Sequence, residues 1–173
     1  QPPAKRSGVT PEPKVSFRNT PLLFLHGAYA AAWCWDEHFL AYFAERGHAC
    51  YALSVSGHGG SPGREHLDSF GLDHYVRDVA AVVEQLPAPP VLVGHSMGGM
   101  VAQKYLESHE AAGLVLLASV PPQGLWAAAL GLAFQKPGVM SDLNSLLGGG
   151  RVALDTLRSA MFAQPVTTED LAR

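Results

Sequence analysis

The chain has 173 residues, with 12 Lys and Arg against 15 Asp and Glu, so its net charge is −3 with histidine neutral. At 47% hydrophobic and 16% charged it can bury a real core, since about 70% of the unfolded surface leaves water at this size, and intrinsic disorder is excluded. Basic residues are scattered rather than clustered, which leaves no electrostatic footprint for nucleic acid or an anionic membrane surface. The longest apolar stretch, residues 125–134, is half of the roughly 20 residues a membrane-spanning helix needs. The two cysteines, Cys34 and Cys50, are too few for a disulfide framework and lack metal-ligand spacing. The expectation is one soluble domain with no metal or organic cofactor, a reduced compartment being allowed and a cytoplasmic setting favoured. The chain opens at Gln1 with no initiator Met and no apolar signal core, which reads as an engineered, processed or truncated product.

Residues 1–14 hold Pro2, Pro3, Pro11 and Pro13 beside Gly8 and several charges, the composition of an unpacked tail. Val15 to Phe17 reads as a short edge strand. Leu22-Leu23-Phe24-Leu25, introduced by Pro21 and closed by His26-Gly27, is an unbroken apolar run of the kind found in a strand buried on both faces. Phe39, Leu40, Phe43 and Ala44 then recur at helical spacing, and Gly47 stops that helix. Cys50-Tyr51-Ala52-Leu53-Ser54-Val55 is a second strand, ended by the loop Gly57-His58-Gly59-Gly60-Ser61-Pro62-Gly63.

The cleanest helix follows, with Leu72, Tyr75, Val76, Val79, Ala80, Val83 and Leu86 on one stripe and Asp73, Arg77, Asp78 and Glu84 off it. Pro87, Pro89 and Pro90 end it. Val91-Leu92-Val93 is a third strand, residues 97–107 a third helix, and Leu114 to Leu117 a fourth strand. This alternation implies a parallel sheet with helices on both faces, because parallel neighbours need crossover connections. After residue 120 the pattern changes to short helix-like pieces, carrying Trp126, Leu130, Phe134 and Met161 and broken by Pro137, Gly148-Gly149-Gly150 and Pro165. No internal repeat is present.

Gly94-His95-Ser96-Met97-Gly98 fits G-x-S-x-G and lies between an apolar strand and an amphipathic helix, the context that gives this motif meaning. A serine hydroxyl is a poor nucleophile, so it must stand on a tight turn where a base and a substrate carbonyl can both reach it. Gly94 and Gly98 leave the neighbouring backbone bare, so the turn can close. The following helix aims its N-terminal N–H groups at the place where an oxyanion would form. The alternative is an ordinary glycine-rich strand-to-helix turn.

Four motifs in order resemble the α/β-hydrolase fold family: His26-Gly27-Ala28-Tyr29 after one strand, Trp33-Cys34-Trp35 opening a helix, Gly57-His58-Gly59-Gly60-Ser61, and Gly94-His95-Ser96-Met97-Gly98-Gly99. They cover about residues 20–120. The resemblance implies a partial three-layer α/β/α core over residues 15–120, followed by a truncated helical lid over residues 121–173; ordinary core helices are the other reading of that segment. It also implies Ser96 as nucleophile and the backbone N–H groups of Ala28 and Met97 as the oxyanion hole. His26, Gly27, Gly94 and Gly98 would support the site. A serine at 96 argues against the branches with an aspartate nucleophile, the dehalogenases and epoxide hydrolases.

His58 and His95 read as structural, through a loop hydrogen bond and packing respectively, and Cys34 and Cys50 as small core residues. Trp33, Trp35 and Trp126 either line an acyl pocket or pack the core. An apolar lid would favour an apolar acyl substrate.

In the resembling family an acid and then a His follow the serine. All eight histidines, at 26, 38, 48, 58, 66, 74, 95 and 109, lie at or before 109. His109 is 13 positions beyond Ser96, about 20 Å along a helix rising 1.5 Å per residue, against the roughly 3 Å a general base requires. Glu107, Glu110, Asp142, Asp155, Glu169 and Asp170 follow no recognisable further strand. The expectation is therefore the N-terminal part of a hydrolase, with exposed sheet edges and its acid and base outside this chain, on a C-terminal half or a second polypeptide. Three functions stay open: a serine hydrolase cleaving a carboxylic ester or related acyl bond, a non-catalytic binding fragment that keeps pocket and lid, and a rewired site with His26 as base.

Overall fold

The run Leu22–Leu25 is buried at all four positions and forms the centre of a parallel sheet. The computed structural model describes residues 19–124. Compact units are Gln1–Val120 and Pro121–Arg173. The expected tail over residues 1–14, the strand at Val15 to Phe17, Trp126 and the helical lid lie outside the described residues.

Four strands, β1 (Leu22–Leu25), β2 (Cys50–Leu53), β3 (Val91–His95) and β4 (Gly113–Leu117), stand in the order β2-β1-β3-β4, every neighbouring pair parallel. Helices α1 (Trp33–Asp36), α2 (Phe39–Ala44), α3 (Leu72–Val83) and α4 (Met97–Tyr105) lie between them. Because strand side chains alternate faces, β1 and β3 feed two separate cores. Leu23, Leu25 and Leu92 pack with Tyr75 and Val79 of α3 and with Val101, Ala102 and Tyr105 of α4. Leu22, Phe24, Val91 and Val93 pack on the opposite face with Trp35, Cys34, Leu40 and Phe43 from α1 and α2. The result is a three-layer α/β/α arrangement. Phe24 is fully buried, its ring 5.2 Å from Trp35 and 6.0 Å from Phe43.

Several boundaries differ from the sequence pattern for identifiable reasons. The second strand stops at Leu53 rather than Val55 because the next backbone groups bond elsewhere: Ser61 Oγ donates to the Ser54 carbonyl, and the Val55 N–H donates to His26. The helical spacing of Phe39, Leu40, Phe43 and Ala44 is that of α2, whereas Trp33-Cys34-Trp35 opens a separate short helix, α1, divided from it at His38 (φ −137°). Helix α3 ends at Val83, where the N–H groups of Gln85 and Leu86 tighten onto Val82 and Val83 ahead of Pro87. A 3₁₀ helix at Arg64–Ser69, entered through Gly63 at φ 94°, has no apolar periodicity to announce it. β4 starts one residue earlier than expected, at Gly113, paired with Val91. Among the described residues no strand lies outside β2 or β4, and Val115 and Leu116 of β4 are each 43% exposed.

Candidate active site

Ser96 is the single residue between the end of β3 and the start of α4, with φ 51° and ψ −116°. A side chain at positive φ is strained, and such strain persists only where the surroundings over-determine it. Here two close approaches impose it. A Cβ on Gly94 would lie 2.6 Å from Gly99 Cα, and one on Gly98 would lie 2.5 Å from the His26 carbonyl and press on the Leu25 carbonyl. The first turn of α4 therefore sits directly on the end of β1, which only bare backbone permits. The Ser96 N–H donates to the Leu117 carbonyl at 3.1 Å, and the Ser96 carbonyl accepts from Gly99, Met100 and Val120.

The loop after β1 passes against this corner. Gly27 lies so near that a Cβ there would be 3.2 Å from Ser96 Cβ and 2.9 Å from His95 Nδ1. The next residue, Ala28, is exposed, and Tyr29 turns the chain at φ 61°. Among the described residues the N–H groups of Ala28 and Met97 have no hydrogen-bond acceptor.

His26 is 1% exposed and engages backbone through both ring nitrogens. Its Nε2 accepts from the Val55 N–H at 3.2 Å, so Nδ1 carries the proton and donates to the Gly27 carbonyl at 2.7 Å. Burial lowers its pKa below the usual 6.5, the Gly27 bond opposes that, and neighbouring His58 adds to it. With no lone pair to spare, His26 cannot take a proton from Ser96, which removes the rewired site as a reading. His58 is buried too, its Nδ1–H donating to the Ser56 carbonyl at 3.1 Å and its ring 5.0 Å from that of His26. His95 turns away to the edge of Trp35, at 6.5 Å. His109 stacks on Tyr105 at the far end of α4. Among the described residues no side chain hydrogen-bonds the Ser96 hydroxyl.

Trp35 is buried in the α1–α2 core, whereas Trp33 is 66% and Tyr29 69% exposed beside the loop of Ala28. Cys34 and Cys50 are free, and burial pushes both thiols above their usual pKa, the reverse of what a reactive thiol needs. Among the described residues no three His, Cys, Asp or Glu converge as metal ligands, and no helix is long and apolar enough to cross a membrane.

Two supporting residues escape the sequence patterns. Asp78 of α3 accepts from the Ser56 N–H at 2.7 Å and the Ser56 hydroxyl at 2.9 Å, anchoring the loop after β2. Its only signal is an acid on the half-buried flank of an amphipathic helix. Gln103 of α4 donates to groups near Ser96; a lone amide between buried Ala102 and Tyr105 is its only mark.

The chain is 38% identical over 106 residues to a non-heme haloperoxidase of Rhodococcus erythropolis, covering 59% of this chain and 38% of that protein. It is 36% identical over 110 residues to a bifunctional esterase/perhydrolase of Acinetobacter calcoaceticus, covering 61% and 39%. It thus spans about two fifths of the curated relatives it matches. A solved pyrethroid hydrolase superposes with TM-score 0.52 at 30% identity, over 59% of this chain and 40% of that one. A monoacylglycerol lipase of Paleococcus ferrophilus shares the fold at TM-score 0.52 and 23% identity, over 69% and 50%. The profile of the alpha/beta hydrolase family matches residues 22–172, and with that extent of the chain accounted for, the protein belongs to the alpha/beta hydrolase family.

Proposed function

We propose that Ser96 is the nucleophile of a hydrolase acting on a carboxylic ester or related acyl bond, the Ala28 and Met97 N–H groups forming the oxyanion hole. The observation that carries this reading is the positive φ of Ser96 at the β3–α4 corner, held by backbone contacts on both sides. Ser96 Oγ attacks the acyl carbon, the carbonyl oxygen gains negative charge, and two unspent N–H donors face it. Loss of one such donor costs about 3 kcal/mol of transition-state stabilisation. The ester C–O bond then breaks, the alcohol leaves with the proton first taken from Ser96, and water releases the acid from the acyl-enzyme. The base that carries this proton, and the acid that orients it, come from outside these 173 residues, on further polypeptide or on a second chain.

Exposed Tyr29 and Trp33 beside Ala28 support an apolar acyl group, as do relatives described as esterases and as a pyrethroid hydrolase. With the base-bearing polypeptide present, a series of p-nitrophenyl esters should show rates that depend on acyl length; a flat series removes the apolar pocket. Binding without turnover is the second reading, favoured by a Ser96 hydroxyl that no side chain among the described residues hydrogen-bonds. Fluorophosphonate treatment in the presence of the polypeptide that supplies the base, followed by intact mass, separates the two. One adduct, lost in Ser96→Ala, is expected. An unlabelled protein, or labelling that survives the substitution, refutes the nucleophile.

A further inference from the structure

The backbone of Ser96 is fastened to the far end of β4 by two bonds of opposite sense: its N–H donates to the Leu117 carbonyl, and its carbonyl accepts from the Val120 N–H, each at 3.1 Å. Between those partners lies Ala118, at φ 43°. Two strained residues just past the ends of adjacent strands thus hold each other, and the Ser96 side is only as well placed as the turn opposite. That turn has its own fastening. Gln103 Nε2 lies 3.0 Å from Ser119 Oγ, 3.2 Å from the Val120 carbonyl and 3.1 Å from the Gly99 carbonyl. An amide nitrogen has two hydrogens, so they are shared among three acceptors. Ser119 Oγ donates in turn to the Val120 carbonyl at 3.0 Å. Each acceptor belongs to a residue that bonds Ser96 or abuts one that does: Gly99 and Val120 donate to the Ser96 carbonyl, and Ser119 packs against Gly99.

We infer that Gln103 is a positioning residue for the nucleophile, acting through Ser119 and Val120 to set where the Ser96 hydroxyl stands. This rests on the reading of Ser96 given above. Among the described residues every side-chain hydrogen bond of Gln103 goes to this corner, so removing its donors while keeping its volume should loosen the corner and leave the two apolar cores intact. Displacement of a reacting group by about 1 Å costs on the order of 10²-fold in rate, whereas the fold loses only a shared pair of hydrogen bonds.

The test uses the full chain with Gln103→Met, near in size but without a donor. Fluorophosphonate labelling of Ser96 should slow at least about tenfold, and ester turnover, where present, should lose kcat with KM unchanged. Amide exchange at Ser96 and Val120 should accelerate. Gln85→Met is the control, because among the described residues Gln85 Nε2 donates only to the Ala81 carbonyl on the exposed end of α3; its labelling and exchange should match wild type. Should Gln103→Met fail to fold, Ser119→Ala removes one partner and should slow labelling about threefold or more. A folded Gln103→Met, or failing that Ser119→Ala, that labels and exchanges like wild type overturns the inference and leaves the nucleophile standing. Absence of labelling in wild type overturns the nucleophile, and this inference with it.

Discussion

Gly98→Ala sets two known effects against each other. In an exposed helix the change gains about 1 kcal/mol from helix propensity. At this position the new methyl would stand 2.5 Å from the His26 carbonyl oxygen and press on that of Leu25, where ordinary contact begins near 3.4 Å. Both obstacles are backbone of the central strand, which cannot rotate aside, so the N-terminus of α4 must retreat by roughly 1 Å, and overpacking of this kind costs about 1–3 kcal/mol. The net destabilisation is about 0–2 kcal/mol, or up to about 8 °C in melting temperature for a chain of this length. The retreat carries the Met97 N–H and the Ser96 hydroxyl away from Ala28, so fluorophosphonate labelling should fall by about 10²-fold. Thermal unfolding and labelling rate, measured beside Gly60→Ala, provide the assay. Gly60 has nothing within 4 Å of a Cβ, and its variant should stay within about 0.5 kcal/mol of wild type. A Gly98→Ala protein melting within 1 °C of wild type and labelling within about twofold of it would refute the claim that helix and strand meet on bare backbone.

His26→Ala leaves the buried Val55 N–H without its partner and the Gly27 carbonyl with only the 3.4 Å bond from the Ala30 N–H, at about 1–3 kcal/mol; denaturant titration should show the midpoint falling accordingly. Because the folded pKa of His26 is below its unfolded value of 6.5, the unfolded state binds the proton more readily, so its contribution is whole above pH 6.5 and is lost as pH falls toward the lowered value. Stability measured from pH 7.5 downward should decline, and His26→Ala should decline less steeply. Asp78→Ala frees both donors of Ser56 and should cost about 1–3 kcal/mol, whereas Asp78→Asn, which can still accept from the Ser56 N–H, should cost less than half as much in the same titration. Phe24→Ala opens a cavity among Trp35, Phe39 and Phe43 and should cost about 3–5 kcal/mol, read as a drop in melting temperature with the wild-type circular dichroism spectrum kept at low temperature.

The parts legible in the sequence are those governed by local pattern. An unbroken apolar run announced β1, a 3.6-residue stripe announced α3, and glycines two positions either side of Ser96 announced the corner, because each signal is completed within a few residues. What stayed hidden depends on partners far along the chain. The early end of β2 is set by His26 receiving the Val55 N–H from 29 residues away. The proton on Nδ1 of His26 follows from the same bond. Gln103 looked like any helical amide because its partners Ser119 and Val120 lie 16 and 17 residues on. Asp78 sat off the apolar stripe of α3, and its bond to Ser56 spans 22 residues. Side-chain bonds of that reach leave no periodicity to read.

The strand order has a consequence for how the protein is made. Leu22 pairs with Cys50 on one side and Val91 on the other, 28 and 69 positions later in the chain. Ribosomes add roughly 5–20 residues per second, so the most water-averse stretch emerges on the order of 3–14 s before its second neighbour exists. During that interval Leu22–Leu25 is a naked sticky segment, and nascent-chain chaperones that bind short apolar peptides have their natural target there.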